Sequence, residues 1–288
     1  ASRVQHPNLV GVVDVGETEA GLFYLVMELV QGISLAAIVA GGALVPARAL
    51  TLVAQIADGL AHGHELGIVH RDLKPDNIMV VAGRGRDIVK VVDFGIAKAM
   101  GGEDGGQKVT KTGLVVGTPE YMSPEQLSGD KLDGRSDIYS LALVFFRMVT
   151  GALPFIAESA QETMIKRLTD DPLPLAAAKP DGRFPAALQV AMDHALARYP
   201  QERYTSAVEF ARDVKQSIGA HVGGVHTEGA TRMVQAPAGA ATRSAVPATR
   251  VARRSEDREL VAPPGTPVAK KRSVLLPVVG GAVAVAVG

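Results

Sequence analysis

The spacing of apolar residues changes several times along this chain, and each change marks a different element. Leu9 to Val15 and Leu22 to Leu29 are apolar runs that include Val, Phe and Tyr, separated by the polar, glycine-containing stretch Gly16 to Gly21. That pattern predicts an antiparallel strand pair. From Pro46 to His64, the residues Leu50, Val53, Ile56, Ala57 and Leu60 fall on one helical face, with Gly67 as the stop. Ile88 to Val92 predicts a short strand, followed by a long polar, glycine-rich segment from Ala97 to Gly117. A connection of that length without its own periodicity is usually functional. Ser136 to Val149 carries Ile138, Leu141, Leu143, Val144, Phe145, Phe146 and Met148 on nearly all sides, so it predicts a helix buried at the centre of a domain. Two amphipathic helices follow. One spans Pro185 to Arg198; the other begins at Ser206, whose spacing to Glu209 is a capping box, and presents Val208, Ala211, Val214 and Ile218 on one face.

Beyond residue 218 the periodicity fails. Residues 219–272 are rich in Ala, Gly, Pro, Thr and Arg without pattern, which predicts a disordered linker. Composition sharpens this division. Hydrophobic residues make up 47% of the 288 and charged residues 21%, enough to bury a core, yet all twelve Phe and Tyr lie at or before Phe210. The absence of cysteine excludes a disulfide scaffold, a thiolate metal site and a cysteine nucleophile. Thirty Lys and Arg balance thirty Asp and Glu, which argues against a nucleic-acid partner. The balance is a sum of unlike parts: Gly219 to Arg272 holds nine basic and four acidic residues, a net +5 offset by −5 elsewhere.

The candidate chemistry lies between the first long helix and the strand at Ile88. There the chain reads His70-Arg71-Asp72-Leu73-Lys74-Pro75-Asp76-Asn77, and just after the strand it reads Asp93-Phe94-Gly95. Farther on come Gly117-Thr118-Pro119-Glu120-Tyr121-Met122-Ser123-Pro124-Glu125 and Asp133-Gly134-Arg135-Ser136-Asp137. In order and spacing these strings resemble the signatures of the eukaryotic-type protein kinases. The resemblance covers Ala1 to about Ile218 and implies an α+β, protein-kinase-like fold with a partial N-lobe of β-strands and a complete, mainly helical C-lobe. It implies transfer of the ATP γ-phosphoryl group to protein Ser/Thr hydroxyls with Mg2+.

Position by position, the resemblance implies that Asp72 accepts the substrate hydroxyl proton and that Lys74 lies near the transferred phosphate. Asn77 and Asp93 would hold the metal, whose preference is for hard oxygen ligands. Thr118 stands where the family marks Ser/Thr specificity. Asp137 would hold the catalytic-loop backbone, and Arg203 would pair with Glu125. Met27-Glu28-Leu29-Val30 resembles the hinge, with the backbone of Glu28 and Val30 toward adenine. Thr110 and Thr112 are similar to the paired activation-loop phosphosites of bacterial transmembrane Ser/Thr kinases, with Arg71 as phosphate receiver, since added phosphate orders such loops against arginine.

A Gly-x-Gly-x-x-Gly loop, a strand lysine and its partner glutamate are not in the chain, and the similarity of His6-Pro7-Asn8-Leu9-Val10 to a family segment places them before Ala1. The expectation is therefore a fragment, truncated at both ends, that binds ATP weakly and phosphorylates nothing at a useful rate. Lys270-Lys271-Arg272 precedes fifteen uncharged, mostly apolar residues, Val274 to Gly288. The expectation for 273–288 is the start of a transmembrane helix, with flanking cations keeping the kinase on the cytoplasmic side of the plasma or inner membrane in a single-pass protein. Its partners would be protein substrates and a second copy for trans-autophosphorylation. Two other readings are a pseudokinase scaffold and a soluble kinase; intact Asp72, Asn77 and Asp93 argue against the scaffold.

Overall fold

The two apolar runs near the start of the chain pair as β1 (Val12–Glu17) and β2 (Phe23–Glu28), antiparallel, with Leu25 opposite Val15 and a register shift between Val12 and Asp14. The computed structural model describes residues 5–19, 23–83, 85–94, 119–224 and 282–286. A two-residue strand, β3 (Ile33–Ser34), leads straight into α1 (Leu35–Val39), and Ser34 caps it by accepting a hydrogen bond from the Ala37 N–H at 3.2 Å. Helix α2 (Pro46–Glu65) starts with proline in its first turn, where no intrahelical donor is needed, and buries Leu52, Val53, Ile56, Ala57 and Leu60. Gly67 turns the chain at φ 70°, while the Ile68 N–H bonds the Gly63 carbonyl at 2.9 Å.

Strands β4 (Ile78–Ala82) and β5 (Asp87–Val91) form a hairpin with Ile78 opposite Val91, and β3 pairs with β4 to complete a three-stranded sheet. Beyond lie α3 (Pro124–Ser128), α4 (Gly134–Thr150), α5 (Ala160–Thr169), α6 (Leu175–Ala178), α7 (Ala186–Ala195) and α8 (Ala207–Gly224). The all-round apolar pattern of α4 has its expected outcome: every residue from Ser136 to Thr150 except Arg147 is buried, with α2, α7 and α8 packed around it. Phe145 meets Phe210 edge-on at 6.3 Å. Each such fully buried side chain contributes about 1.5–3 kcal/mol. The predicted capping box at the start of α8 is present, with Glu209 N–H donating to Ser206 Oγ at 3.2 Å and Ser206 N–H to Glu209 Oε2 at 3.3 Å.

The C-terminal apolar run departs from the expected helix where it is described. Ala282–Ala286 forms β6, antiparallel to β2 with Val26 opposite Ala284. An alternating Ala-Val stretch fits a pleated surface as well as an apolar helix, and the second edge of β2 offers backbone groups to pair. Among the described residues no helix is long and apolar enough to cross a membrane.

Candidate active site

The loop between α2 and β4 is held from below by a single carboxylate. Asp137, in the first turn of α4 and 1% exposed, accepts the His70 N–H at 2.8 Å, the Arg71 N–H at 2.9 Å and His64 Nε2 at 2.7 Å. These bonds fix Arg71 in the left-handed region, φ 70°, which costs a non-glycine residue about 1–2 kcal/mol. The His70 ring then links two strings of the sequence. Its Nδ1 accepts the Asp72 N–H at 3.3 Å and its Nε2 donates to the Val92 carbonyl at 3.0 Å, so the imidazole carries its proton on Nε2.

Above this support, Asp72, Lys74 and Asn77 converge. Lys74 Nζ lies 2.7 Å from Asp72 Oδ2, and Asn77 Nδ2 donates both to that oxygen at 3.0 Å and to the Asp72 carbonyl at 2.8 Å. The Asp72 side chain is 41% exposed, and its Oδ1 takes no hydrogen bond among the described residues. One carboxylate oxygen is thus clamped and the other faces outward. The Val92 N–H bonds the Asn77 carbonyl at 2.9 Å, which sets Asp93 beside the loop. Asp93 also sits in the left-handed region, φ 62°, and is exposed. Phe94 packs its ring edge-on against His70 at 5.3 Å and lies so close to α2 that a Cβ on Gly63 would fall 1.9 Å from its ring. Asn77 spends its amide nitrogen on Asp72, which leaves its amide oxygen, and the Asp93 carboxylate after the next hairpin, as hard oxygen donors of the kind Mg2+ takes alongside phosphate and water.

A second wall is built by residues 119–126. Gln126 Nε2 donates to the Arg71 carbonyl at 2.5 Å, one residue from Asp72, and Ser123 and Gln126 form a capping box for α3. Glu125 is buried and meets Arg203 through Nη1–Oε1 at 2.7 Å and Nη2–Oε2 at 2.8 Å, with the Ser136 hydroxyl donating at 2.7 Å. Burial pushes the Glu125 carboxyl up, but the hydrogen bonds and charge of Arg203 outweigh it and hold the group below the usual glutamate range. Tyr121, in the same segment, is pushed up to about 12 by burial.

On the β2 side, the Glu28 N–H donates to the Gly11 carbonyl at 3.0 Å and the Glu28 carboxylate pairs with Lys90 of β5 at 2.5 Å. Val30 follows at the end of β2. Lys90 Nζ also reaches the Leu9 carbonyl at 3.3 Å, so the strand entering Asp93 is tied to the segment around Glu28. Thr110, Thr112 and Thr118 lie outside the described residues.

Some residues that organise the site were not singled out by sequence reasoning. Asn8, 8% exposed, donates to Gln55 Oε1 and to the Val89 carbonyl, both at 3.0 Å, locking residues 8–10 alongside β5. His64 and Gly63 were unremarked because their partners, Asp137 and Phe94, are distant in sequence. Arg167 is 1% exposed on α5, and a charged residue facing inward carries no sequence signal of its burial.

Small sheets set against a helical lobe, with an aspartate, a lysine and an asparagine on one loop and a second aspartate after the next hairpin, define a site of the protein kinase class. The comparisons agree. The protein kinase domain family model matches residues 1–217, and the chain belongs to that family. It is 42% identical over 217 residues to the serine/threonine-protein kinase pkn3 of Myxococcus xanthus, covering 75% of this chain and 40% of that relative. It is likewise 42% identical over 218 residues to the serine/threonine-protein kinase PknB of Mycobacterium tuberculosis, covering 74% of this chain and 34% of that protein. Among solved structures, the PknI kinase domain of Mycobacterium tuberculosis superimposes with a TM-score of 0.57 at 28% identity, over 75% of this chain and 74% of that one. The chain thus spans well under half the length of these curated relatives.

Proposed function

We propose that the protein containing this chain is a serine/threonine protein kinase that transfers the ATP γ-phosphoryl group to protein hydroxyls. The observation that carries this reading is the division of labour on Asp72, with Oδ2 held by Lys74 and Asn77 while Oδ1 faces outward. A hydroxyl approaching Oδ1 would lose its proton there, and the fixed carboxylate spares the reaction the cost of orienting the base. Lys74 adds a positive charge beside the transferred group. Asn77 and Asp93 would hold Mg2+, which neutralises phosphate charge when bound. Glu28 and Val30 would meet adenine through their backbones. Arg71 would receive a phosphate on Thr110 or Thr112, and Thr118 would contribute Ser/Thr selectivity.

The same reading extends to the cell. Lys270, Lys271 and Arg272 before the apolar run support a single-pass attachment to the membrane with the kinase on the cytoplasmic side, in which 282–286 would leave the edge of β2, and fractionation of the full-length protein tests this. The test of the chemistry is Asp72→Asn in the full-length kinase. Phosphate incorporation into itself and a protein substrate should fall about 10²–10⁴-fold, the usual worth of a positioned base, with an unchanged circular dichroism spectrum. Incorporation at the parental rate would overturn the assignment.

A further inference from the structure

Four successive backbone carbonyls, from Pro119 to Met122, point at side-chain donors rather than at backbone partners alone. Arg167 takes three of them: Nη1 donates to Pro119 O at 2.7 Å and to Met122 O at 2.8 Å, and Nη2 donates to Glu120 O at 2.8 Å. Ser140 of α4 takes the fourth, donating to Tyr121 O at 2.7 Å. Arg167 is 1% exposed and makes no ion pair with any carboxylate among the described residues; the ring of Phe155 lies 5.5 Å from its Cζ. A buried cation without a counter-anion depends on the acceptors its donors find. Among the described residues Nε is buried without a partner, while Nη1 and Nη2 find theirs only in these three carbonyls, so the guanidinium and the conformation of residues 119–122 specify each other. Three donors in a rigid planar fork can serve three carbonyls at once, which a lysine ammonium on a flexible stem does poorly. The segment so held continues into Gln126, whose amide bonds the Arg71 carbonyl next to Asp72.

We infer that Arg167 is a positioning residue for the protein substrate: by clamping residues 119–122 it fixes the wall, adjoining Thr118, along which the substrate chain lies while its hydroxyl reaches Asp72. This rests on the kinase reading above and adds to it a specific residue on α5 that acts through backbone carbonyls and touches neither nucleotide nor metal. The clamped carbonyls belong to residues 119–122, none of which is assigned to nucleotide or metal, so the two Michaelis constants should separate.

The experiment compares Arg167→Lys, Arg167→Ala and Ser140→Ala in the full-length kinase. Expected for both Arg167 variants is a rise of about tenfold or more in the KM for a peptide substrate, the worth of one charge-assisted hydrogen bond, with the KM for ATP within about twofold. Ser140→Ala should show the same split at smaller size, and millimolar methylguanidinium should partly restore Arg167→Ala. Folded Arg167 variants with an unchanged peptide KM, or with both constants raised alike, would overturn the inference. If Arg167 variants do not fold, Ser140→Ala decides by the same criterion. Hydrogen exchange on the present chain separates this inference from the kinase reading, because it needs no catalysis. Arg167→Lys should speed exchange of the amides in residues 120–123 by about tenfold or more, since a lost bond of that worth appears directly as local opening; unchanged exchange there would refute the clamp even if the protein proved to be an active kinase.

Discussion

Arg203 and Glu125, 78 residues apart, face each other through two parallel hydrogen bonds of 2.7 and 2.8 Å, and the guanidinium lies 4.7 Å above the ring of Tyr139. The remaining donors of Arg203 are also met, by the carbonyls of Ala197, Arg135 and Arg198. The pair ties the segment after residue 118 to the loop before α8. Arg203→Met should therefore leave Glu125 buried and unpaired, at a cost of about 3–5 kcal/mol. Urea unfolding of the chain measures this; a loss under about 1 kcal/mol, the range of exposed pairs, would contradict a buried pair.

The same pair predicts a pH dependence. The carboxyl of Glu125 is held below its unfolded value of about 4.3, so its contribution is fully present above that pH and is lost as pH falls through the lower folded value. Stability should decline on acidification below about pH 5, and Glu125→Gln should flatten the decline in that window while lowering stability at neutral pH. Equal slopes for the parent and the variant between pH 5 and about pH 3 would show that Glu125 is not shifted.

Asp137 supports the catalytic loop through three donors and holds Arg71 at positive φ. Asp137→Asn keeps the shape but replaces one acceptor oxygen by a donor, which opposes either a backbone N–H or His64. A loss of about 1–3 kcal/mol is expected, with faster hydrogen exchange at His70 and Arg71 and little change in α8. Protection of those two amides at the parental level would show that the loop holds itself.

Much of this molecule was readable because its signals are local. The one-sided apolar spacing of Pro46 to His64 became α2, the all-round pattern from Ser136 became the buried α4, and the Ser206 to Glu209 spacing became a capping box. Helix α5 escaped notice, since ten residues with Arg167 inward and Ile165 outward give no clean apolar stripe. The strand at 282–286 could not be foreseen either, because alternating Ala and Val carry no preference between pleat and apolar helix until an edge such as that of β2 is at hand.

The sequence by itself determined that Asp72, Lys74 and Asn77 meet, since they lie within six residues on one loop and a run that short brings its members together. It also determined the helical periods that bury the core. Only the tertiary structure decided what holds these groups still. Phe94 against Gly63, Gln126 on Arg71 and Arg167 on three carbonyls join positions 31 to 55 residues apart. Hydrogen bonds and contacts of that range depend on where the folded chain returns, and no spacing along a linear string encodes them.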